Sequence, residues 1–181
     1  LNTLGSQILD QVPEKTKTLR LILGDQLNEN HSWFSKVDNS ITYCLFETWS
    51  ETNYTKHHVQ KVASFFLAMR HFSVRLRELG HTVVYRTLDE PRALQLETIS
   101  DNLGHLAKVL EVQEVAHQLP DEWRLDQELK RFADSFGGVT SSVDSEHFLS
   151  TRDDLAALFA GKKTYLMETF YRMMRRRHQV M

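Results

Sequence analysis

Short apolar runs alternate along this chain with longer stretches in which apolar residues recur every three or four positions. Leu19 to Leu23, "ITYCLFE" (41–47), "TVVYRTL" (82–88), "VLEVQEV" (109–115) and "VTSSVD" (139–144) are brief and rich in β-branched or aromatic residues. Such runs predict five strands, the more continuous ones buried on both faces. Across residues 55–79, Val59, Val62, Phe65 or Phe66, Met69, Phe72, Leu76 and Leu79 form a stripe along a helix of about six turns, with Gly80 at its C′ position. A second helix is expected from Pro91 onward, through "PRALQLETISDNLGHLAK". A third covers 120–136, with Trp123, Leu125, Leu129, Phe132 and Phe136 on its apolar side and Gly137-Gly138 ending it. Thr151 to Ala160 and Tyr165 to Arg177 read as two more. Strand and helix in regular alternation imply right-handed crossovers and an α/β, doubly wound, mostly parallel five-stranded sheet. The expected organisation is a polar leader (1–17), of a kind that often stays poorly ordered, an α/β domain (18–150) and a helical segment (151–181).

Composition narrows this picture. The 181 residues suffice for one domain with a real core, and 41% hydrophobic with 25% charged is a soluble, globular balance. A net charge of −2 argues against a chain covered in nucleic-acid-binding surface and leaves a local basic patch open. No apolar run approaches the roughly 20 residues that span a bilayer, and the first residues lack a secretory pattern. Cys44 is the sole cysteine, which rules out an internal disulfide or a multi-cysteine metal or iron–sulfur site within this chain. The expected compartment is the cytoplasm, with no membrane partner.

In open α/β sheets ligands bind beyond the carboxyl ends of the strands, where strand order reverses. Gly24, Asp25, Gln26 and Leu27 follow the first strand without the Gly-x-Gly-x-x-Gly spacing of a dinucleotide site. They would share a rim with Glu47 and the loop "TWSETNY" after the second strand. Gln26 offers an amide, Asp25 and Glu51 accept hydrogen bonds, and Tyr54 can stack or donate. That set suits a flat, neutral heteroaromatic better than a polyphosphate. The plainer alternative is that Gly24 ends a strand and Asp25 caps a turn. His57 and His58 point about 100° apart on a helix and cannot share a metal ion; His57 is either a rim contact or a surface histidine. Ser32, Ser50 and Cys44 have no evident base partner, so hydrolase chemistry lacks support. In "YLMETFYRMMRRRHQVM" an apolar face precedes a cationic end that suits the helix dipole. So much methionine and aromatic surface implies that it packs on something, and that the chain stops where another domain should begin.

"LRLILGDQL", "HHVQKVASFFLAMRHFSVRL", "DEWRLDQEL" and "GKKTYLMETFYRMMRRR", in this order, resemble the N-terminal domain of the photolyase-related proteins. These are the iron–sulfur bacterial and archaeal cryptochromes and (6-4) photolyases. The resemblance spans residues 18–181 and implies a Rossmann-like antenna domain leading to an absent helical domain. That absent domain would hold FAD, a 4Fe-4S cluster and the surface for damaged DNA, and would be this chain's partner. The resemblance also implies that the α/β domain binds 6,7-dimethyl-8-ribityllumazine and passes excitation to the flavin, for DNA repair or photoreception. By matched blocks it places Gly24, Asp25, Gln26 and Leu27 on the loop edging the lumazine pocket. Glu51 and Tyr54 fall at its acidic and aromatic positions, with His57 nearby and Phe65 on the helix facing the chromophore. The fragment itself is expected to carry no catalytic residue; the chemistry would belong to the longer parent. The competing expectation is a ligand-free interaction module that docks the flavin domain, its pocket blocked by Phe65. If the C-terminal helix finds a copy of itself, the chain would dimerise, in a crystal or in solution.

Overall fold

A computed structural model describes residues 16–180, so the expected leader lies, but for its last two residues, outside the described residues. The five strands are β1 (Thr18–Leu21), β2 (Ile41–Phe46), β3 (Thr82–Arg86), β4 (Glu114–Gln118) and β5 (Val139–Val143). All pair in parallel, in the order β3-β2-β1-β4-β5. Seven α-helices are described: α1 (Trp49–Asn53), α2 (Val59–Glu78), α3 (Asp89–Ala93), α4 (Ile99–Val109), α5 (Trp123–Ser135), α6 (Asp154–Phe159) and α7 (Met167–Arg177). The doubly wound α/β architecture is the one that the alternating pattern predicts.

Each sheet face has its own core. On one, Leu19, Leu21, Cys44, Phe46 and Val84 meet Leu103 and Leu106 of α4 and Leu125 and Leu129 of α5. On the other, Ile22, Tyr43, Leu45 and Val83 meet Phe66, Met69, Phe72 and Leu76 of α2, with Trp33 and Phe34 from a 3-10 turn (Ser32–Phe34). Side chains alternate across a strand, so Cys44 and Leu45 serve opposite cores. Burial raises the Cys44 thiol well above its ordinary pKa, which removes it as a nucleophile at neutral pH.

Three expectations need correction. The sequence pattern places the fourth strand at 109–115, but Val109 still belongs to α4 and the strand is Glu114–Gln118. The helix expected from Pro91 is two helices, α3 and α4, separated at Gln95, where φ is +57°. Trp123 is 74% exposed instead of facing the core. It sits two residues, about 200° of helix, from the buried Leu125 that begins the apolar stripe. The α2 stripe holds at Phe66, Met69, Phe72 and Leu76, whereas Val59 and Leu79 at its ends are exposed.

Topology decides where a ligand can sit. The chain leaves β1 for β2 on one side and later returns past β1 to β4 on the other. The connections that leave the carboxyl ends of β1 and β4 therefore run in opposite directions, and the crevice between them is the switch point.

Candidate functional site

Gly24 follows β1 at this crevice. A Cβ there would run into the tip of the Phe65 ring and the Met69 sulfur of α2. Any larger residue there would have to push these two side-chain ends aside. Gln26, two residues on, is wholly buried. Its Oε1 accepts the Leu23 N–H at 3.1 Å, and its Nε2 donates to the carbonyls of Gln118 and Leu119 at 3.3 and 3.2 Å. The side chain thus ties the end of β1 to the end of β4 and holds the crevice at a set width. Both ends of the amide are engaged internally, so it does not offer them to a ligand as the sequence reading expects.

Beside Gly24 lies a cavity of about 210 Å³. Apolar side chains build its wall: Phe46 from β2 and Leu125 from α5 belong to one core, Phe66 and Met69 from α2 to the other, and the exposed Phe65 of α2 joins them. Its rim is polar, with Asp25 after β1, Glu51, Tyr54 and His57 from the α1 region, Lys61 from α2 and Glu122 before α5. Of the expected site residues, Gly24, Asp25, Glu51, Tyr54, His57 and Phe65 line this cavity. Leu27 lines a shallower depression on the far side of Asp25, with Asn28 and His147. Gln26 lines neither.

Glu47, expected at the rim, is fully buried in a clamp of its own. Its carboxylate accepts from Arg70 Nε at 2.6 Å and Nη2 at 2.9 Å, from Tyr85 Oη at 2.7 Å and from Leu88 N–H at 2.9 Å. Burial alone would raise its pKa; these donors outweigh burial and hold it below the usual carboxylate range. His58 caps α2, its Nδ1 accepting the Gln60 N–H at 3.2 Å, while His57 meets the Tyr54 ring edge-on at 5.2 Å between centroids.

The electrostatics of the rim follow from partial burial. Removal from water raises the pKa of Asp25, with Asp121 and Glu122 adding repulsion. Burial likewise raises that of Glu51, although Arg124 pulls the other way. Arg124 is the residue that sequence reasoning missed. Its Nη2 lies 2.8 Å from Glu51 Oε1, its Nε lies 2.8 Å from Glu122 Oε1, and its guanidinium sits 4.6 Å from the Tyr54 ring centroid. The signal that could have found it is positional. Arg124 follows directly on the loop after β4, but a strand drawn at 109–115 moves that loop away from "DEWRL".

An open, all-parallel five-stranded sheet with helices on both faces defines a Rossmann-like α/β domain, and an apolar, polar-rimmed cavity lies beside the end of its first strand. The sequence comparison identifies the lineage: residues 20–181 match the deoxyribodipyrimidine photo-lyase-related protein family, and the chain belongs to that family. A curated relative named (6-4) photolyase, from Agrobacterium fabrum, is 35% identical over 160 residues, which cover 88% of this chain and 31% of that protein. The chain therefore spans about a third of the length of that relative.

Proposed function

We propose that this chain is the antenna-chromophore-binding domain of a photolyase-related protein, and that the cavity beside Gly24 takes 6,7-dimethyl-8-ribityllumazine. The observation that carries the reading is the division of that cavity into an aromatic wall and a hydrogen-bonding rim. A flat heteroaromatic ring gains most from Phe46, Phe66 and Leu125, and a polyol tail can donate to Asp25 and Glu51. Three rim carboxylates, Asp25, Glu51 and Glu122, against the one rim lysine, Lys61, disfavour a phosphorylated tail by like-charge repulsion. The longer protein would place a flavin within reach of the chromophore, in the segment beyond this chain, and act on photodamaged DNA. The family match and the relative named (6-4) photolyase support that role.

Titration of the purified chain with the lumazine, a folate and FAD tests the proposal. Saturable spectral change is expected with the lumazine and not with FAD; no saturable change with any of them would sink the reading. The Phe65 ring, pressed on Gly24 at the cavity, favours a second reading, a ligand-free module that docks the flavin domain. Lumazine binding by Phe65→Ala but not by the wild-type chain would select it.

A further inference from the structure

We propose that Arg124 is a positioning residue, a latch that fastens residues 49–58 over the cavity and sets Glu51 and Tyr54 at its mouth. This rests on reading the cavity as a chromophore site. The segment has little else to hold it. Its helix α1 is five residues long and buries none of them. Among the described residues, side chains of 49–58 hydrogen-bond to one another, to Thr48, or to Gln60 and Lys61 in the first turn of α2. The one such bond that leaves this neighbourhood is Arg124 Nη2 to Glu51, 3.0 Å from Oε2. Beyond it, Trp49 meets the Arg92 guanidinium at 5.9 Å, at the limit of a useful cation–π contact.

The other end of the latch is rigid. Arg124 lies in the first turn of α5, which Leu125 and Leu129 anchor in the core. Glu122, the residue before that helix, fixes the guanidinium with bonds of 2.8 and 3.3 Å from Nε and Nη2. One planar cation thus serves two carboxylates by its edge and Tyr54 by its face, a combination that a lysine ammonium cannot reproduce. Exposed ion pairs contribute little to stability, but the Glu51 side chain is only 19% exposed. Deprived of Arg124, it would be a desolvated, unpaired carboxylate, and the segment would have to swing into water or take up a proton. Ligand release would then be gated by the opening of this segment, with Arg124 setting its frequency.

Hydrogen-exchange mass spectrometry on the ligand-free chain tests the latch, with stopped-flow lumazine binding as a second readout. In Arg124→Ala, exchange in residues 49–58 should rise about tenfold with the sheet unchanged, and lumazine dissociation should accelerate about tenfold with little change in association. Arg124→Lys should fall between that variant and wild type. Unchanged exchange in 49–58, or an equal rise throughout the chain, would overturn the latch. Should Arg124→Ala fail to fold, Arg124→Lys and Glu51→Gln carry the same comparison. A wild-type chain that takes up no lumazine would defeat the chromophore reading, and the exchange comparison would still decide the latch.

Discussion

Glu47 and Gln26 are polar side chains at strand ends whose apparent availability dissolves once their partners are known. A carboxylate at the end of β2 and an amide just after β1 are the residue types that line ligand sites, and no feature of the sequence marks them as internal. What separates them from Asp25 and Glu51 is saturation: Glu47 receives four donors and Gln26 bridges two strands, whereas the rim carboxylates keep acceptor capacity toward the cavity. Glu47→Gln should cost about 2 kcal/mol at pH 7, read as a lower urea midpoint with an unchanged slope. The pH dependence has a definite sign. The folded pKa of Glu47 lies below its ordinary 4.5, so its contribution is present above 4.5 and is lost as pH falls through the lowered folded value. The variant should therefore lose less stability than wild type between pH 5 and pH 3. Asp25 and Glu51, with raised values, act in the opposite sense, their burial becoming easier as they protonate.

Helix ends explain which elements can be read from the sequence. Four helices close with the same pair of backbone bonds around a residue of positive φ, the Schellman arrangement. In α2 that residue is Gly80 at +91°, with the His81 N–H bonded to Leu76 O, and its glycine announces the end in advance. In α3, α4 and α7 the same place is held by Gln95, Glu111 and Gln179, at +57°, +52° and +54°. With no glycine to mark the break, Pro91 to Lys108 reads as one helix. Apolar residues likewise recur at short intervals through the end of α4, a turn and β4 (Leu106, Ala107, Val112 and Val115), so the fourth strand is drawn too early. The backbone of Glu111 sits in the left-handed region at a cost that glycine avoids. Glu111→Gly should accordingly stabilise the chain by about 0.5–1 kcal/mol, read as a rise in the thermal midpoint.

Across the whole molecule, stability is unevenly distributed. The sheet and helices α2, α4 and α5 share two buried cores, while α7 buries none of its residues and leaves Met167 and Tyr171 exposed, as are Tyr165 and Leu166 just before it. Two fastenings from its end reach other elements: the Arg177 pair with Asp154 of α6, and His178 Nε2 at 3.0 Å from the Leu149 carbonyl. Arg177 holds the Asp154 carboxyl down at about 2, so this fastening is complete above 3.8 and is lost as pH falls through about 2. Asp154→Asn should raise hydrogen exchange in residues 167–177 and leave the cooperative unfolding midpoint of the sheet in place. The sequence by itself determined the alternation of strands and helices, the glycine that ends α2 and the apolar stripes of α2 and α5, because each is a local period or a local steric demand. Tertiary structure alone decided that Gln26 and Glu47 turn inward, that α1 reaches α5 through Arg124, and that Gly24 and Asp25 open onto an aromatic wall. Those outcomes depend on which strand ends lie side by side, and β1 meets β4 only after more than ninety residues of intervening chain.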